Sequence, residues 1–295
     1  MSVASISEFP VVFECQGASL VGIVHRIADV QRTGILCVIA GGPQYRAGVG
    51  RSMVSMAREL SAAGIPVMRF DHRGLGDSDG TFRGFEYLEE DLEAAAACFL
   101  QQVPELEAIV LWGGCDAASG AMISGWKVPS VASMVLGNPW VTSEETQLAV
   151  MRQHYFRRLG EWSFWRKLLS LEYNVKDYAV AVWRKLTGRL QGLSVTVEQA
   201  QGESNGDYVP RMLEGLQRFD GPVLFLMSGQ SLVSKEFDEM VSHSAAWQAA
   251  CGRPGNERID IAEADQTFSE GNSRARVNDA LRSWLERIDR QPQKN

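Results

Sequence analysis

Long apolar runs are missing from this sequence: no stretch approaches the roughly 18 apolar residues of a membrane-spanning helix. The opening Met1-Ser-Val-Ala-Ser-Ile-Ser-Glu8 has no basic residue ahead of an apolar segment, so neither a spanning helix nor a cleaved leader is expected. Cysteine is sparse. The five present, Cys15, Cys37, Cys98, Cys115 and Cys251, are odd in number, scattered and without a C-x-x-C pair. That argues against a disulfide framework or a zinc site and for a reducing cytoplasm. Positive charge is also short, and a formal net charge of −7 disfavours a general nucleic-acid binder. The sequence has no phosphate-cradling G-x-x-x-x-G-K run, no dinucleotide fingerprint after its first strand and no metal-ligand cluster, so no cofactor and no metal are expected.

What remains is an ordinary composition, 45% apolar and 22% charged over 295 residues, enough for one large domain or a core with an insertion. Segments 10–15 and 19–25 read as two strands joined at Gln16-Gly17, and 34–40 as a strand buried on both faces. Apolar spacing predicts a helix over 52–63, a strand over 66–70, a helix over 85–102, and strands over 108–112 and 130–136. Later come a helix over 208–219, a strand over 222–227, a helix over 234–250, a strand over 258–261 and a closing helix over 273–288. Strands alternating with helices argue for an α/β protein, a mostly parallel central sheet with helices on both faces.

Between 141 and 190 the strands stop. Thr142 and Glu145 form a capping box, and Leu148, Met151, Tyr155 and Leu159 lie at helical spacing. From 151 to 190 nine Lys/Arg face three acidic residues, and Trp140, Trp162, Trp165 and Trp183 lie within or beside the segment. We expect a helical lid over 141–190 inserted into a core made of 1–140 and 191–295. Its basic residues are either simply solvated or set to meet an anionic or acyl-bearing small molecule or an anionic membrane surface.

The stretch from Val110 to Gly120, Val-Leu-Trp-Gly-Gly-Cys-Asp-Ala-Ala-Ser-Gly, reads as strand, sharp turn and helix. A nucleophile elbow needs small residues two before and two after the nucleophile, because strand and helix backbones pass closely there. Gly113 and Ala117 stand at that spacing around Cys115. By itself Cys115 reads equally as a buried structural thiol or as a nucleophile. The helix N-terminus favours its thiolate and the Asp116 carboxylate opposes it.

Together these segments resemble the α/β-hydrolase superfamily over nearly the whole chain. Gly41-Gly-Pro-Gln-Tyr-Arg46, Cys115-Asp-Ala-Ala-Ser119 and Asn138-Pro-Trp140 resemble the exosortase A system-associated hydrolase 1 family, and Asp71-x-Arg-Gly-x-Gly-x-Ser78 is a superfamily mark. The resemblance implies an α/β-hydrolase fold and a cytoplasmic cysteine-type hydrolase linked to bacterial exopolysaccharide and protein-sorting clusters. It places Cys115 as nucleophile, the N–H groups of Gly42 and Asp116 as oxyanion donors, and Gln44, Trp140 and the lid residue His154 at the substrate.

Acyl transfer on this fold needs an acid and then a histidine in loops after late strands. Here Ser231 stands at the acid position and Gln266 at the histidine position. The four histidines, His25, His72, His154 and His243, lie elsewhere and read as surface or packed residues, with His154 the best substitute base. Glu236 and Asp238 are expected on a solvated helix face. Two functions fit: a thiol hydrolase or acyltransferase with impaired turnover, or a non-catalytic ligand- or partner-binding member of the fold.

Overall fold

The computed structural model describes residues 6–39, 45–141 and 208–289. Gly42, Gln44, His154 and all of the expected lid beyond Val141 lie outside the described residues.

The chain opens with β1 (Ser7–Cys15) and β2 (Ala18–Arg26), an antiparallel hairpin that turns at Gln16 and Gly17. Next come β3 (Thr33–Val38), α1 (Ser52–Ala62), β4 (Val67–Asp71), α2 (Glu89–Gln102), β5 (Ala108–Gly114), α3 (Asp116–Ser124) and β6 (Val131–Gly137). The second part holds α4 (Tyr208–Arg218), β7 (Val223–Ser228), α5 (Leu232–Ser242), α6 (Ala245–Cys251), β8 (Glu257–Ile261) and α7 (Gly271–Asp289). The strands form one eight-stranded sheet in the order β1-β2-β4-β3-β5-β6-β7-β8. β2 runs antiparallel to β1 and β4, and every other neighbouring pair is parallel.

The central strands β3, β5, β6 and β7 are largely apolar because both of their faces are buried, while β4 buries Arg69 and Asp71 among its apolar residues. Leu36, Ile109, Leu111, Met134, Leu136 and Phe225 point to a core shared with α2, α3 and α4. Their sequence neighbours Ile35, Val110, Trp112, Val135 and Leu224 point to a second core closed by α1 and α7, where Trp284 and Leu281 are fully buried.

The helix expected over 234–250 is two helices. Ser231 caps α5 by accepting from the Ser234 N–H, and Ser244 caps α6 by accepting from the Trp247 N–H, so the chain breaks at His243 and restarts. The start of the expected 85–102 helix is a separate 3-10 turn, Phe85–Tyr87, with the α-helix proper beginning at Glu89.

The Asp71–Ser78 run is a structural pin. The buried Asp71 carboxylate accepts from the Arg46 guanidinium, the Arg46 N–H and, at 3.2 Å, the Asp77 N–H. Ser78 Oγ donates to the Asp71 carbonyl at 2.6 Å and accepts from the Val21 N–H at 2.9 Å. These bonds fasten the chain just after β3 to the ends of β2 and β4.

Candidate active site

At the end of β5 the strand gives way directly to α3, with Cys115 between them at φ 59° and ψ −126°. A side chain at positive φ is strained and survives only where the surroundings over-determine it. They do so here. A Cβ on Gly113 would lie 2.6 Å from the Ala117 carbonyl oxygen, so the position admits only glycine. The Cys115 N–H donates to the Gly137 carbonyl at 2.8 Å, and the Cys115 carbonyl accepts from Ala118 and Trp140 at 3.0 and 3.2 Å. Ser119 Oγ closes the ring onto the Trp140 carbonyl at 2.7 Å.

The half-buried Cys115 sulfur lies 3.3 Å from Gln266 Nε2, which donates to it. Burial, and then the Asp116 carboxylate, push the thiol up to about 12, outweighing the Asp116 N–H and the Gln266 amide that favour the anion. Desolvation thus settles the competition that the sequence left open. The Asp116 side chain does not point outward unbound: its Oδ1 accepts from the Ala117 N–H at 2.8 Å.

Gln266 is held by a polar scaffold. Asp265 accepts from the Thr267 and Ser269 N–H groups at 3.1 and 2.9 Å, an Asx-type turn that rigidifies the loop. Asn138, buried at φ 47°, donates through Nδ2 to the Gln266 carbonyl and to Ser228 Oγ, both at 2.8 Å. Its Oδ1 accepts from the Ser228 N–H at 2.8 Å and from Ser234 Oγ. One amide therefore joins the ends of β6 and β7, the start of α5 and the loop after β8. Sequence reading passed over this role of Asn138. Its signal was the Asn-Pro pair after a strand ending in glycine.

Ser231 is 1% exposed, and its hydroxyl caps α5; no hydrogen bond among the described residues joins it to Gln266. Asp238 is paired with Arg258 at 2.6 Å at the surface. Glu236, expected on a solvated face, is instead buried against the core, which raises its carboxyl above the usual range.

The three described histidines keep to other places. His25 is fully buried and accepts from Arg69 Nε at 3.0 Å, and burial together with that guanidinium pushes it down to about 4. His72 is buried with its ring stacked on Phe82, centroids 5.5 Å apart. His243 ends α5, exposed, its Nδ1 2.8 Å from the Glu239 carbonyl.

Beside Cys115 and Gln266 opens a cavity of about 100 Å³ whose walls are mainly Val38, Ile39, Val49, Met53, Trp112 and Phe268. Trp140, expected at the substrate, is not among its lining residues. The turn at Asn138-Pro139 lays the Trp140 ring against the α2–α3 core, and what that residue gives the elbow is backbone hydrogen bonds. No group of three or more His, Cys, Asp or Glu among the described residues is arranged to hold a metal ion.

No family model and no curated protein matches the chain. Solved structures do match its shape. An esterase of Pyrococcus furiosus, Pf2001, superimposes with a TM-score of 0.62 at 15% identity, over 96% of this chain and 91% of that one. Hypothetical protein PA2218 of Pseudomonas aeruginosa gives 0.61 at 15% identity, covering 97% and 95%. XC6422 of Xanthomonas campestris, described as an α/β serine hydrolase without a lid, gives 0.55 at 13% identity, covering 98% and 97%. With the sheet order and the helices on both faces, these matches establish the α/β-hydrolase fold. Among the described residues no helix is long and apolar enough to cross a membrane.

Proposed function

We propose that this chain is an acyl-accepting member of the α/β-hydrolase fold whose turnover is impaired. Cys115 takes an acyl group from a small activated ester, thioester or lactone, and the N–H groups of Asp116 and Gly42 receive the oxyanion. The observation that carries the reading is the Gln266 amide 3.3 Å from the sulfur, at the place a proton acceptor would need. In the acylation step the Sγ–carbon bond forms, the ester carbon–oxygen bond breaks, and the thiol proton leaves with the alcohol. Release needs a water made nucleophilic by a base. A carboxamide does not shuttle protons near neutrality, so the thioester persists. Loss of a triad base costs about 10⁴- to 10⁶-fold in turnover.

A second reading, a purely binding protein, is favoured by the burial of Cys115, which with the Asp116 carboxylate pushes the thiol up to about 12 and so favours its protonated form at neutral pH. The motif resemblance given above supports a molecule from the exopolysaccharide and protein-sorting setting for either reading, as acyl donor in the first and as bound ligand in the second.

Intact-protein mass spectrometry with excess p-nitrophenyl acetate separates these. The expected result is one acetyl group per chain, absent in Cys115→Ala and stable for hours. Rapid multiple turnover dependent on Cys115 would overturn impaired release, and an unmodified Cys115 would leave the binding reading alone standing.

A further inference from the structure

A second cavity of about 230 Å³ opens between the first turns of α1 and α7. It shares Ser52, Met53, Trp112, Thr267 and Phe268 as walls with the cavity beside Cys115, so the two lie side by side. Its inner end is apolar, formed by Met53, Met56, Trp112, Phe268 and Val277. Its outer end is polar, with Ser55, Glu59 and Arg274 at the rim and the Glu59 carboxylate held by Asn278 Nδ2 at 2.6 Å. We propose that this cleft is the acyl-chain subsite of the Cys115 centre, and that the group transferred to Cys115 carries an unbranched medium-length chain. The chain passes Trp112 and lies between α1 and α7. This inference rests on the acyl-acceptor reading above and names its substrate class.

Size and chemistry both support that occupant. The cleft exceeds the roughly 150 Å³ of an apolar cavity that admits benzene. The chain crosses the 100 Å³ cavity beside Cys115 before it enters the 230 Å³ cleft, so at ~30 Å³ per methylene, the share of a water molecule, the two together hold on the order of eleven carbons. The wall between the cavities includes Met53, whose flexible thioether chain can swing to join them. An apolar floor that ends in a polar, open rim suits a chain whose tip reaches water. It does not suit an acyl group carrying a charge along its length, which would sit unpaired beside Met56 and Val277.

The test is the second-order rate of Cys115 acylation by p-nitrophenyl esters from acetyl to dodecanoyl, followed by intact mass with Cys115→Ala as background. The expected rate rises about two- to fourfold per methylene, as burial of each one dictates, and levels off at about eleven carbons. Ala275→Trp, on the exposed lining of α7, and independently Ser55→Trp on α1, should each lower the octanoyl-to-acetyl rate ratio at least tenfold by filling the cleft. Circular dichroism identifies which of the two variants is folded and therefore decides. Acylation that is equally fast for every chain length, or a ratio unmoved in a folded blocked variant, would overturn the subsite while leaving the acyl-acceptor reading intact. Failure of every ester to modify Cys115 would instead overturn both.

Discussion

The β5–α3 elbow and the loop after β8 meet at one sulfur atom, and Asn138 ties the loop after β7 to that loop, yet elbow and loops meet different kinds of requirement. The elbow satisfies a demand of shape: Gly113 leaves room for the Ala117 carbonyl, and Cys115 holds its positive φ through bonds to Gly137, Ala118 and Trp140. The loops keep an equally ordered frame, with the Asn138 hub, the Ser231 cap and the Asp265 turn in place. Gln266 and Ser231 make static hydrogen bonds there, and neither side chain takes up or returns a proton near neutrality. Backbone geometry and proton chemistry are thus set by separate residues, and one can be present without the other.

The comparison is broken most directly by installing a titratable pair there. Ser231→Asp with Gln266→His should raise Cys115-dependent esterase turnover on the order of 10²- to 10⁴-fold, the usual worth of a positioned general base. Aspartate caps a helix as well as serine does, so α5 should survive. Steady-state hydrolysis of p-nitrophenyl acetate measures the gain, and no gain would mean that the loops no longer bring positions 231 and 266 together. Next in size, Gly113→Ala drives a methyl into backbone. It should cost about 3 kcal/mol or more, lowering Tm by roughly 10 °C in thermal unfolding.

A smaller effect concerns pH. Because Cys115 keeps its proton to about 12, its alkylation by iodoacetamide should rise about tenfold per pH unit from 7 to 10 without a plateau. The sign for stability follows. The unfolded thiol ionises near 9 and the folded one does not, so the unfolded state gains from rising pH and stability falls as pH climbs from about 9 towards 12. Cys115→Ser should flatten that fall in Tm measured against pH. The smallest expected change is Ser231→Ala, which removes one helix cap and should cost about 1 kcal/mol in urea unfolding. A much larger loss would show that Ser231 supports the site beyond capping α5.

Legibility in the sequence followed the same division. The runs 34–40, 108–112 and 222–227 declare central strands, because a strand buried on both faces is apolar at nearly every position, and 66–70 does so despite its buried Arg69. The elbow was readable from Gly113 and Ala117, since small size at fixed spacing is a local property. The break at His243 was hidden, because Ser231 and Ser244 announce themselves as caps only when their hydroxyls meet the Ser234 and Trp247 N–H groups. The packing of the Trp140 ring was hidden for a similar reason: its neighbours in sequence did not show which face of the sheet it would choose.

Residue order by itself determined the alternation of strand and helix, the elbow around Cys115, and the presence of serine at 231 and glutamine at 266 in loops after late strands. Each of these depends only on side-chain size, polarity or titratable type at known spacing. The folded chain alone decided that Gln266 rests on the sulfur, that Asn138 binds four segments together, and that Cys115 stays a thiol. Those outcomes depend on distances between residues far apart in sequence, and on how much water the packed sheet leaves around one atom.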